Sequence, residues 1–122
     1  MVRSRNAVPK INNIAAHQVR EGTRAMNRLL EHRSRLGACL LLTQTEAMNF
    51  SRLRELLGET NGNLGAHLRK LEEAKYVEVR KEFADRKPVT WYLITTAGAQ
   101  ALQAHVAALE TLVSSTLSSR SS

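Results

Sequence analysis

Residues 49–98 read NFSRLRELLGETNGNLGAHLRKLEEAKYVEVRKEFADRKPVTWYLITTAG, and this stretch decides the fold. Asn49 is a helix cap; Leu53, Leu56 and Leu57 form the apolar face of the short helix it opens, and Gly58 is a natural stop. Arg52 stands where a capping box would place Glu, so that box is absent. Thr60 caps a second helix. On a helical wheel its Leu64, Leu68 and Leu71 fall within about 60° of one another, which predicts a buried stripe. The opposite side carries Gly62, Asn63, Ala66, Arg69, Lys70 and Glu73, short-chained near the start and cationic in the middle. Gly62 and Gly65 weaken the helix by roughly 1 kcal/mol each relative to Ala, and they let another surface approach closely. From Tyr76 to Phe83 the chain alternates as a strand, with Val77 and Val79 on one face and Glu78 and Arg80 on the other. Ala84 to Pro88 reads as a turn with charges at its tip, and Val89 to Ile94 as a second strand rich in β-branched and aromatic residues.

Two short helices joined by a tight turn hold the second one proud of the core. There it can enter a major groove about 12 Å wide. Its N-terminal amides suit a phosphate. Asn61 and Asn63 can pair with base edges or phosphates; Arg69 and Lys70 can neutralise backbone charge, and an Arg can also read guanine. Arg86 and Lys87 at the hairpin tip can reach a neighbouring minor groove or its phosphates.

The stretch from about Leu29 to Leu109 resembles the winged-helix transcriptional regulators allied to the MarR and ArsR types. The residues that carry the resemblance are Thr60, Gly62, Asn63, Leu64, His67, Leu68, Leu71, Glu72, Tyr76, Val77, Lys81, Phe83, Arg86, Pro88, Thr90, Tyr92, Thr95 and Gly98, with Ile94 in a Leu place. It covers about two thirds of the chain. The resemblance implies a dimeric DNA-binding regulator with a recognition helix at 60–74, a wing tip at 84–88 and dimer contacts from the terminal helices. The residues expected to face DNA are then Thr60, Asn61, Gly62, Asn63, Ala66, His67, Arg69, Lys70, Lys81, Arg86 and Lys87. Two positions depart from the family pattern. Lys75 replaces a common Gly after the recognition helix, and Gly65 replaces a small polar residue, which removes a hydroxyl contact to phosphate.

Outside this stretch the signals are weaker. Residues 1–9 are polar, basic and end at a proline, and are expected to be a disordered arm. A helix is expected from Lys10 to about Glu31, with Gly22 as a break. Ser34 can cap the next helix, whose Leu36, Cys39, Leu40 and Leu42 line one side. A very short strand is expected near Met48. Thr95 caps a last helix over about 96–115, in which Leu102, Val106, Leu109 and Val113 repeat at a spacing suited to packing against another helix. Glu110 is the lone charge between Gly98 and Leu117, so both faces of this helix are expected to be partly covered, and these four residues are assigned to a dimer interface. The serine-rich end, residues 118–122, is expected to be a disordered tail. The expected class is therefore α+β, mostly α: a winged helix-turn-helix domain over residues 10–117, with a two-stranded wing at about 76–94 and flanking N- and C-terminal dimerisation helices.

Of the 122 residues 43% are hydrophobic, enough for one modest core, and at 4% aromatic that core must be mostly aliphatic. The formal charge is +7, concentrated before residue 38, where eight Lys/Arg face Glu21 and Glu31. Such an arm suits a polyanion, and equally a solvated tail. Cys39 is the one cysteine, so there is no disulfide framework, and a small core residue is its expected role over a redox one. The four histidines, His17, His32, His67 and His105, lack metal-ligand spacing, and no cofactor or metal is expected. No apolar run approaches the roughly 20 residues of a membrane span, which leaves the cytoplasm as the expected location. No nucleophile–base pair or phosphate-cradling Gly-Lys-Ser/Thr appears, so no enzyme is expected. His67 at the edge of the leucine stripe leaves two roles open, a packed structural histidine or a phosphate contact. Trp91 and Tyr92 lie on opposite strand faces, one in the core and the other over the hairpin or beside a pocket. The partners expected are double-stranded DNA, a second copy of the chain and an unidentified small-molecule effector, for which a crevice between the terminal helices and the core is the open place. The competing function is a winged helix that grips another protein and no DNA, suggested by Glu72 and Glu73 offsetting Arg69, Lys70 and Lys75.

Overall fold

The computed structural model describes residues 12–121, with side chains through Ser118. The element order is α1 (Asn13–Arg24), a 3-10 turn (Arg28–Leu30), α2 (Arg33–Leu42), β1 (Met48–Asn49), α3 (Phe50–Leu57), α4 (Asn61–Glu73), β2 (Val77–Ala84), β3 (Lys87–Ile94) and α5 (Thr96–Ser121). The three strands form one antiparallel sheet in the order β1-β3-β2. Residues 1–9, the expected arm, lie outside the described residues.

Caps read from sequence account for the central helices. Asn49 Oδ1 accepts the Arg52 N–H at 2.8 Å, and Thr60 Oγ1 accepts that of Asn63 at 3.2 Å. Gly58 closes α3 at φ 64°, with the Glu59 N–H reaching back to the Arg54 carbonyl at 3.1 Å. The same closure recurs after α4, where Tyr76 N–H bonds the Leu71 carbonyl at 2.9 Å and Lys75 takes φ 67°. A lysine in that conformation costs roughly 1 kcal/mol relative to glycine. The leucine stripe is buried as expected: Leu53, Leu64, Leu68 and Leu71 join Leu30, Ala38, Cys39, Leu42, Val77 and Leu102 in one core. Leu57 packs against that core, while Leu56 is largely exposed. Burial pushes the Cys39 thiol up to about 11, so the reactive thiolate is not formed near neutral pH, as suits a core residue.

Several expectations are corrected. The first helix ends at Arg24, and Gly22 lies inside it, close against Leu112 of α5. Ser34 does not cap α2. His32 does, its Nδ1 accepting the Ser34 N–H at 3.1 Å, while Ser34 itself is buried one turn in. The buried stripe of α2 runs Ser34, Ala38 and Leu42 with Cys39, which turns Leu40 away from it, 45% exposed. The serine-rich end continues α5 through Ser121 rather than fraying from residue 118. Its hydroxyls bond back along the helix, Ser115 and Thr116 both donating to the Leu112 carbonyl at 3.2 and 2.7 Å. Leu102 is buried in its own chain's core. Val106 packs against that core, and only Leu109 and Val113 of the assigned set are more than 40% exposed.

Helix α5 is joined to the rest by polar contacts that sequence did not suggest. Buried His105 accepts the Asn27 N–H on Nδ1 at 2.9 Å, and Asn27 Nδ2 donates to the Tyr76 hydroxyl at 2.8 Å. At the start of α5, Thr95 N–H donates to the Tyr76 carbonyl at 3.0 Å, and the Thr95 hydroxyl donates to the Lys75 carbonyl at 2.7 Å. The ends of α4 and the wing are thereby tied to the start of α5.

Candidate nucleic-acid interface

Helices α3 and α4 meet at a tight turn, and the stripe of Leu64, Leu68 and Leu71 anchors α4 from one side only. Asn61, Gly62, Asn63, Ala66, Arg69 and Lys70 are exposed on its other side. Arg54 of α3, which sequence reasoning missed, donates from Nη1 to Asn61 Oδ1 at 2.8 Å. That bond fixes the Asn61 carboxamide and leaves its NH₂ as the group to offer outward. The Thr60 side chain is spent on the cap. Arg69 and Lys81 flank one crevice between α4 and the sheet, lined also by Gly65, Glu72, Thr90 and Tyr92. Tyr92 faces the core side and packs near Phe50, ring centroids 6.4 Å apart, while its neighbour Trp91 is half-buried on the other face.

The wing turns on two residues, since Ala84 pairs with Lys87. Asp85 and Arg86 both sit in the left-handed region, at φ 52° and 67°. Two-residue hairpins of this shape favour Asn-Gly or Asp-Gly. An arginine in the glycine place costs roughly 1–2 kcal/mol, and such retained strain points to a role for the side chain. Arg86→Gly is therefore expected to raise stability by about 1 kcal/mol while weakening any complex the wing makes. Paired urea melts and DNA titrations check it; a gain in both would remove Arg86 from the interface.

His67 is withdrawn from this surface, its side chain 15% exposed. Its ring packs on that of His32, centroids 4.1 Å apart. Arg35 Nη1 lies 3.0 Å from His67 Nδ1, and Arg35 Nε donates to the Leu29 carbonyl at 2.6 Å. Arginine only donates, so Nδ1 must be the bare acceptor and the proton sits on Nε2, 4.0 Å from Glu59 Oε2. The Ser34 hydroxyl donates to that same carboxylate oxygen. This cluster staples α2 to the turn between α3 and α4, with His67 held inside it.

Desolvation holds the His67 imidazole below its ordinary value, with nearby His32, Arg35 and Lys70 acting the same way and Glu59 opposing. The Ser34 bond holds the Glu59 carboxyl below its own, helped by His67, Arg33 and His32 and opposed by desolvation. In both cases the unfolded chain takes the proton first as pH falls. Stability contributed by His67 is thus present above about pH 6.5 and lost below it, and that from Glu59 is lost below about 4.5. Lowering the pH from about 7.5 to about 5.5 should lower the thermal midpoint, and His67→Gln should flatten that dependence. An identical pH profile in the variant would remove His67 as the cause.

A family model described as a winged helix DNA-binding domain matches residues 34–113. The chain belongs to that family. This winged-helix protein is 38% identical over 66 residues to an uncharacterized protein of Methanocaldococcus jannaschii, covering 54% of this chain and 72% of the relative. Its fold is similar to that of a transcriptional regulator homologue from Pyrococcus horikoshii OT3, with a TM-score of 0.72 and 28% identity over 81% of this chain and 96% of the other. The zinc-responsive MarR family member ZitR of Lactococcus lactis shares the fold at a TM-score of 0.55 and 18% identity, over 77% and 64% of the two chains. The winged-helix protein is thus MarR-like in fold, and its family is one of DNA binding rather than catalysis. None of its described helices is long and apolar enough to cross a membrane.

Proposed function

We propose that this protein is a dimeric, sequence-specific transcriptional regulator that sets α4 in a major groove and the wing on adjacent phosphates or the minor groove. The observation that carries the reading is the division of α4: leucines wholly buried on one side, and Asn61, Asn63, Arg69 and Lys70 all exposed on the other. Glu72 lines the crevice beside the sheet together with Arg69 and Lys81, where the two cations outnumber it. Two copies related by a two-fold axis would meet through α1 and α5, where Leu109 and Val113 are exposed, and would read half-sites about one helical turn apart. Helix α5, with 26 residues, is roughly 39 Å long, ample for such an interface. Between α1 and α5 runs a groove of about 640 Å³ lined by Gly22, Ala104, Ala107, Ala108 and Leu112, with His17 and Glu21 at its polar edge, and an effector bound there would change the spacing of the two recognition helices.

Fluorescence anisotropy of labelled duplexes, including the region upstream of its own gene, tests the reading between about 50 and 200 mM salt. Tight, selective binding that weakens steeply over that range is expected. Binding of no duplex even at low salt would refute it and favour a protein-binding winged helix.

A further inference from the structure

The two strands of the wing have unlike faces. Along β2, Val77, Val79, Lys81 and Phe83 share one face, and their partners on β3 are Ile94, Tyr92, Thr90 and Pro88. The other face holds Glu78, Arg80 and Glu82 opposite Leu93, Trp91 and Val89. Both carboxylates of the strands therefore lie on the second face, where Glu78 is held by Arg80 at 2.6 Å. The first face starts in the core at Val77, runs past Arg69 of α4 in the crevice it shares with Val79 and Lys81, and ends at Phe83 and Pro88 beside the turn. It is thus the side of the wing on which the recognition helix lies.

Phe83 is 80% exposed at the end of that face. Left in water, the phenyl ring contributes little to folding and keeps its apolar area free for an intermolecular contact. On its own face stands Lys81, and Arg86 sits at the turn beside Asp85, while Lys87, paired with Ala84, lies on the other face with Glu82. Cations beside an apolar ring match a duplex whose phosphates flank a groove walled by sugar C–H groups; they do not match an apolar protein surface. We propose that Phe83, backed by Pro88, is an apolar pad that the wing presses against the minor-groove wall of duplex DNA. The proposal rests on the DNA-binding reading above and deepens it: Lys81 and Arg86 supply the attraction, and Phe83 supplies a contact that salt does not screen.

The test uses a duplex that the full chain itself selects from a random pool. Phe83→Ala should weaken binding roughly ten-fold while leaving the salt slope unchanged, because it removes apolar contact and no charge. Arg86→Ala should lower the slope by about one. Phe83→Leu, which keeps an apolar side chain, should retain most of the affinity, and thermal midpoints of both variants should match the parent because the ring is exposed. Replacing guanine by inosine in the flanking bases removes the minor-groove amino group and leaves the major-groove edge intact. That exchange should alter the affinity of the parent and not of Phe83→Ala. Equal affinity of parent and Phe83→Ala for the selected duplex would overturn the pad and leave the regulator reading standing. Loss in Phe83→Ala with both proteins indifferent to inosine would overturn the minor-groove placement. Failure to select any duplex would overturn the regulator reading and the pad with it.

Discussion

Gly98→Ala is expected to lower stability by about 3 kcal/mol or more, and the thermal midpoint by roughly 10 °C. A Cβ at Gly98 would stand 2.1 Å from the Tyr76 carbonyl oxygen, 2.9 Å from its carbon and 3.0 Å from the Tyr76 Cα. All three are backbone atoms, and the carbonyl is fixed by the Thr95 N–H at 3.0 Å. No side chain can swing aside, so either α5 must lift or its first turn must break, where Gly98 N–H donates to Thr95 Oγ1 at 2.9 Å. Gly62→Ala is the matched control, since nothing lies within 4 Å of its Cβ position, and it should raise stability by up to about 1 kcal/mol. Urea melts of the two variants give the answer. A Gly98→Ala midpoint equal to the parent's would mean that α5 and the end of α4 are not pressed together.

Replacing Arg69 and Lys70 together by Ala should weaken DNA binding by roughly 10- to 100-fold and reduce the salt slope by about two. Both side chains are exposed and sit on the face of α4 away from the leucine stripe, so the fold should shift by less than about 0.5 kcal/mol. If Arg69 pairs bidentately with a guanine, the loss will be larger on the preferred sequence than on a scrambled one, by about 1–3 kcal/mol. Uniform loss on every sequence would assign both residues to phosphates. An unchanged slope would remove the middle of α4 from the interface, and with it the major-groove geometry.

The central elements were legible in the sequence because their causes are local. A cap needs an oxygen three residues from an amide, as at Asn49 and Thr60; a helix stop needs a residue that tolerates φ > 0, as at Gly58; and a hairpin needs alternation on either side of a turn. The burial of Leu64, Leu68 and Leu71 follows from their spacing alone. From these the sequence by itself determined a helix-turn-helix with a wing, and which side of α4 is free.

The tertiary structure decided whatever depends on partners far along the chain. Ser34 resembles a cap until Glu59, 25 residues on, takes its hydroxyl and His32 takes the cap. His67 sits at the edge of an apolar stripe, and only Arg35, 32 residues away, shows which group its ring meets. Gly98 is a glycine because the Tyr76 carbonyl fills the space a Cβ would need. Leu102 and Leu109 share one heptad-like spacing, yet the core covers the first and leaves the second to solvent. Spacing tells which residues share a face of a helix; what that face meets is set by where the rest of the chain packs, and no local pattern encodes it.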